Sequence, residues 1–94
     1  MDLAIRSLIF TYYNRARFKA AFQEDRLHKA LGIILSGKLQ EKIKKYGTRT
    51  DDCYCPDRQE RHMICKHMIA VWIMQKVYTH VQKIFINEIN HRLW

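Results

Sequence analysis

The chain has 94 residues, 48% hydrophobic and 28% charged, with three Gly and one Pro, which excludes a disordered segment and fits one small globular domain, residues 1–94. Such a chain buries about 60–65% of its extended surface, so a structural metal is the usual supplement. The net charge of +8 and pI of about 9.7 point to an acidic partner, most often nucleic acid, although charge kept for solubility alone is common.

From Asp2 to about Phe22 the spacing predicts a first helix. Asp2 can cap it, and Leu8, Tyr12, Ala16 and Ala20 recur four apart, flanked by Ile5, Ile9, Tyr13 and Phe18. Gln23, Glu24 and Asp25 break that pattern as a turn, with Asp25 a candidate cap. A second helix is expected from Arg26 to about Ser36, with Leu27, Ala30, Leu31, Ile34 and Leu35 on one side and Gly37 as C-cap. Gly32 inside it costs about 1 kcal/mol relative to Ala and is the kind of residue that marks close packing. Over Lys38–Tyr46 two signals conflict. Leu39 and Ile43 favour a helical turn, whereas Lys38, Lys42, Lys44 and Lys45 favour exposure.

The next stretch carries the chemistry. Cys53, Cys55 and Cys65 are the only cysteines, and they fall in the pattern Cys-x-Cys, nine residues, Cys-x-His ending at His67. Three thiolates and an imidazole suit Zn²⁺, held tetrahedrally at about 2.0–2.3 Å in closed structural sites. A disulfide framework wants an even cysteine count and a secretory context, and a Cys–His nucleophile needs one cysteine only. One structural Zn²⁺ is the expected cofactor. His67 and His62 both compete for the fourth position on spacing alone.

The order Cys53-Tyr-Cys55-Pro56-Asp57 and Cys65-Lys66-His67-Met-Ile-Ala70 resembles the SWIM zinc finger, whose signature is CxC…CxH, over roughly Arg49 to Ile73. The resemblance implies metal ligands at Cys53, Cys55, Cys65 and His67, leaving His62 in the variable loop. It also implies a short β-hairpin leading into the CxC pair, with Lys44–Tyr46 and Thr48–Thr50 extended and Gly47 at the turn. Where the family often carries an aromatic after Pro-Asp, this chain has Arg58, so the polar loop Asp57–Arg61 is expected to project. The fold class that follows is mainly α with a small β-hairpin, zinc-stabilised. It divides into an N-terminal helical region about 2–37, a SWIM-like finger about 44–73 and a C-terminal helix about 65–94.

That last helix is the longest. Ile69, Ile73, Val77, Val81, Ile84 and Ile89 trace its apolar stripe without Gly or Pro. Unbroken, it would reach about 40 Å, against a radius of gyration near 12–13 Å for a compact chain of this size. Either it breaks near Asn87–Asn90 or its overhang packs on another chain, and a homodimer through helical faces is favoured.

A Cys₃His site has no position left for a metal-bound water, so the metal is read as structural and the chain as no enzyme. The H-x-E and C-x-x-C elements of zinc deaminases are absent, and Gly32, Gly37 and Gly47 are isolated rather than a phosphate loop. Two binding readings remain. In the first the chain is a small DNA-binding regulator contacting phosphates or bases through Lys44, Lys45, Arg49, Arg58, Arg61 and Lys66. In the second it is a protein-interaction adaptor, as SWIM fingers resemble adaptors as often as DNA readers. The apolar run Leu8–Phe10 sits between Arg6 and Arg15, and Met68–Met74 falls far below the ~18–20 residues of a membrane span. The expectation is an intracellular, cytoplasmic protein with no signal peptide, no transmembrane segment and no membrane partner.

Overall fold

The computed structural model describes the backbone of residues 3–19 and 22–93, and side chains as far as Ile84. Five helices follow in order: α1 (Leu3–Ala16), α2 (Glu24–Leu35), α3 (Leu39–Tyr46), α4 (Pro56–Arg61) and α5 (Lys66–Leu93). α5 is the spine against which α1, α2 and α3 pack. Ile69, Ala70, Ile73 and Val77 turn one face of it inward at the helical period, and they meet Ile9 and Ala16 of α1 and Leu27, Ala30, Leu31 and Ile34 of α2. The edge of Phe22 meets Trp72 at 5.5 Å, and Tyr12 Oη lies 3.3 Å from His80 Nδ1, so α1 runs antiparallel beside α5.

The spine is unbroken for 28 residues, about 42 Å at 1.5 Å per residue. The molecule measures 54 × 26 × 22 Å with a radius of gyration of 14.8 Å. No break occurs near Asn87–Asn90, because nothing in that sequence interrupts the backbone hydrogen bonds. Among the described residues, no helix is long and apolar enough to cross a membrane.

α2 begins at Glu24 with Gln23 as its N-cap, so Asp25 lies inside the helix rather than capping it. Three larger expectations also need correction, the first about strands. Among the described residues there are none, and the β-hairpin is absent. The Leu39/Ile43 spacing prevails over the lysines, so α3 runs to Tyr46, and Gly47 ends it in the left-handed conformation at φ 54°. The chain then doubles back through Arg49 N–H to the Asp52 carbonyl (2.8 Å) and Tyr54 N–H to the Tyr46 carbonyl (2.9 Å), too few bonds for a ladder. Second, α1 stops at Ala16, well short of Phe22. Its last turn tightens through Phe18 N–H to Arg15 and Lys19 N–H to Ala16, turning the chain towards α2 and leaving Phe18 90% exposed. Asp2 and Ala20 lie outside the described residues. Third, Asp57–Arg61 does not project as a loop. Pro56 opens a helical turn there and His62, at φ 55°, closes it.

Gly37 (φ 76°) does end α2. Lys38 N–H bonds the Ile33 carbonyl and Gly37 N–H the Ile34 carbonyl, the paired bonds of a Schellman motif. Gly32, by contrast, is exposed with open space around a would-be Cβ, so no close packing explains it.

Candidate metal centre

Cys53 and Cys55 stand on the extended segment before α4. Cys55 keeps a β-region backbone (φ −69°, ψ 155°) as the N-cap, so residues two apart point to one side. Cys65 immediately precedes α5 and its carbonyl takes the Ile69 N–H at 3.2 Å, while His67 follows in the first turn. All four side chains are buried, and their donor atoms lie within 4.8 Å of one another. His67 Nδ1 is 3.8 Å from Cys53 Sγ and 3.9 Å from Cys65 Sγ. An ion bound tetrahedrally at about 2.0–2.3 Å separates its ligands by about 3.3–3.8 Å. The four residues therefore form a cluster of the right size and chemistry for one metal ion. His62 is exposed, serves as the cap of α4, and takes no part in it.

Burial sets the protonation of Cys65 and His67. Desolvation pushes the Cys65 thiol up to about 12, reinforced by a hydrogen bond to Cys55 and by the neighbouring sulfurs. Desolvation also pushes His67 down to about 4, helped by the positive charges of Lys66 and Lys42. At neutral pH the metal-free His67 is thus an unprotonated imidazole able to ligate, whereas Cys65 must lose a proton to do so.

A second ring of groups orients the donors. The buried Thr48 hydroxyl lies 3.2 Å from Cys53 Sγ, and against a thiolate only the hydroxyl can donate. Gln59 Nε2 donates to the Cys53 carbonyl at 2.8 Å, and Cys53 N–H donates to Asp52 Oδ1 at 2.8 Å. That N–H, followed by Arg58, holds the Asp52 carboxyl below its usual range. Tyr46, the last residue of α3, stacks on the His67 ring with centroids 5.0 Å apart. Residue patterning gave no sign of Thr48 or Tyr46 in this role, because it depends on how the chain folds back after Gly47.

Arg26 also escaped the sequence reading. It sits on the inner side of α2, 8% exposed, and donates through Nε (2.9 Å) and Nη2 (3.0 Å) to the two carboxylate oxygens of Asp57. Gln23 accepts from its remaining Nη1. The hydrogen bonds to Asp57 raise the Arg26 pKa and depress that of Asp57. This fork fixes α4, and with it Cys55, to the helical core.

The cations singled out for nucleic acid divide into two sets. Arg49 pairs with Asp51 (3.4 Å), Arg58 with Asp52 (3.4 Å) and Arg61 with Asp57 (3.7 Å), so the finger neutralises its own arginines. Lys66, half-buried at the start of α5, shares a polar cavity of about 380 Å³ with Asp25, Arg26, Lys29, Asp57 and Arg61. Lys44 and Lys45 are exposed on α3 and, with Lys38 and Lys42, form no ion pair among the described residues. Comparison with protein-family models, with curated proteins and with solved structures gave no match.

Proposed function

We propose that this chain is a nucleic-acid-binding module of the SWIM-finger type, completed by a single structural Zn²⁺ on Cys53, Cys55, Cys65 and His67. The thiolate-rich donor set supports zinc over harder ions such as Mg²⁺ or Ca²⁺, which prefer oxygen. With four protein donors converging, the ion has no open position and supplies folding energy and rigidity rather than chemistry. The observation that carries the binding role is the net charge of +8, which the finger's own ion pairs leave concentrated on helices outside it. The finger resemblance rests on the ligand order and on the four residues coming together, since the hairpin is absent.

A protein-interaction adaptor is the second reading, favoured by an apolar groove of about 320 Å³ lined by Ile34, Leu39, Ile43, Val71 and Met74. One assay separates the two. Zinc-loaded protein is titrated onto labelled random duplex and single-stranded oligonucleotides across a salt series. Affinity near micromolar that falls log-linearly with salt supports nucleic-acid binding. No binding to either form, even at low salt, overturns it and leaves the adaptor reading.

A further inference from the structure

We infer that the nucleic-acid contact surface is α3 with Tyr54, and that its ligand is a single strand whose phosphates lie on Lys38, Lys42 and Lys45 while an unpaired base stacks on Tyr54. The inference rests on the nucleic-acid reading above. Three observations converge on it.

The first is the distribution of free charge. Residues 38–49 hold Lys38, Lys42, Lys44, Lys45 and Arg49 against one acid, Glu41, and of these cations only Arg49 has an ion-pair partner among the described residues. The arginines nearest the metal each have a carboxylate neighbour, Asp51, Asp52 or Asp57, that offsets part of their charge. Ring contacts do not separate the sets, since Arg15 lies over Tyr12, Lys19 over Trp72 and Lys45 of the stripe over Tyr46, which leaves the Lys45 ammonium exposed.

The second is register. Lys38, the N-cap of α3, and Lys42 and Lys45 stand at i, i+4 and i+7, one stripe running beside the Leu39 and Ile43 side that faces α5. The stripe spans about 10 Å at 1.5 Å per residue, enough for two or three successive phosphates of one strand. Phosphates alone do not distinguish single strand from duplex.

The third observation makes that distinction. Tyr54 is 69% exposed, the largest aromatic exposure next to α3, and its ring lies against Gly47 at the end of that helix. A Cβ at residue 47 would sit 3.3 Å from the ring, so glycine there lets the ring lie close. The Tyr54 backbone is tied to α3 through its N–H to the Tyr46 carbonyl at 2.9 Å. A ring so exposed, at the end of a lysine stripe, is a stacking platform, and a base can offer its face only when unpaired.

The test compares fluorescein-labelled (dT)20 with a random 20-base-pair duplex, using the zinc-loaded full chain and measuring the zinc content of every variant. Tyr54→Ala is expected to weaken (dT)20 binding at least about fivefold, with Tyr54→Phe unchanged and duplex binding unchanged for both. Lys38→Gln/Lys42→Gln/Lys45→Gln is expected to lower the logarithmic salt slope on (dT)20 by about two, whereas Arg49→Gln/Arg61→Gln leaves it nearly unchanged. As a readout that needs no variant, 5-iodouracil in the oligonucleotide should photocrosslink to the peptide carrying Tyr54. Equal loss on both substrates with Tyr54→Ala, loss with the arginine variant alone, or crosslinking to other tyrosines instead would overturn the inference while leaving nucleic-acid binding intact. Failure of the unmodified protein to bind either oligonucleotide would remove the functional reading itself.

Discussion

Stripping the metal should unfold one part of this protein and spare the other. The buried residues fall into two clusters: the helical core around Ile69 and Ile73, and a smaller one made of Cys53, Cys55, Cys65 and Met68. Between Gly47 and Met63 the only buried side chains are Thr48, Cys53 and Cys55, so no aliphatic residue holds that segment in place. Ordering its backbone costs on the order of 20 kcal/mol, at about 1–2 kcal/mol per residue. Structural zinc contributes about 10–16 kcal/mol, the one stabilising term of that size available there. Hydrogen exchange with and without a strong chelator reads the outcome. Amides from 47 to 63 should lose protection, while α2 and the stretch of α5 from Ile69 to Val77 keep most of theirs. Uniform loss across the chain would refute the two-cluster argument. Retained protection at 47–63 would show that the cysteines are ordinary core thiols.

Three further outcomes follow from single features. Cys53→Ser, Cys55→Ser, Cys65→Ser or His67→Ala should abolish stoichiometric zinc binding, whereas His62→Gly should keep it, since glycine accepts the φ of 55° more readily than histidine does; zinc content by colorimetric release is the check. Gly32→Ala should raise stability by about 0.5–1 kcal/mol, because the position is helical, exposed and free of neighbours, and the gain appears as a higher urea midpoint at unchanged slope. Metal loading at pH 7 should release at least one proton, from Cys65, whose thiol is raised to about 12, and none from His67, already unprotonated with its pKa lowered to about 4. Affinity should therefore fall as the pH falls, and calorimetry in two buffers of different ionisation enthalpy counts the protons; a value of zero would refute the protonated Cys65.

What the sequence made legible was set by local rules. The ligand order brought four residues to notice because soft donors at tight spacing have few other uses, and the Schellman end at Gly37 and the length of α5 follow from residues adjacent in the chain. The hairpin failed for a physical reason: strands inferred from the resemblance competed with the Leu39/Ile43 period of the residues themselves, and the helix prevailed. α1 was drawn too long because Ala20 and Phe22 continue its period, while the turn made by the Phe18 and Lys19 N–H bonds ends it so that α2 can pack back on α5. Arg26 could not be foreseen. A cation on an inner helical face is tolerable only with a partner, and that partner is Asp57, 31 residues away.

The first turn of α5 is where the two clusters meet. His67 and Met68 turn towards the metal cluster, while Ile69, Ala70 and Ile73 turn towards the helical core, so this end of the helix is apolar nearly all round. α3 attaches to this end of α5 at two points. Leu39 and Ile43 share a groove with Val71 and Met74, and Tyr46 stacks on His67. Only the second would depend on a bound metal, because ligation would hold His67 in place and Thr48, just past Gly47, contacts the Cys53 sulfur. Losing the ion would leave α3 attached by its apolar side alone, with its C-terminal end and Tyr54 released together. The lysine stripe and the exposed ring would then lose their fixed separation, which a strand bridging both of them requires. Binding should consequently lose its dependence on Tyr54 in the metal-free protein before it loses all affinity, since lysines attract phosphates at any spacing whereas a stacked base needs the ring in place.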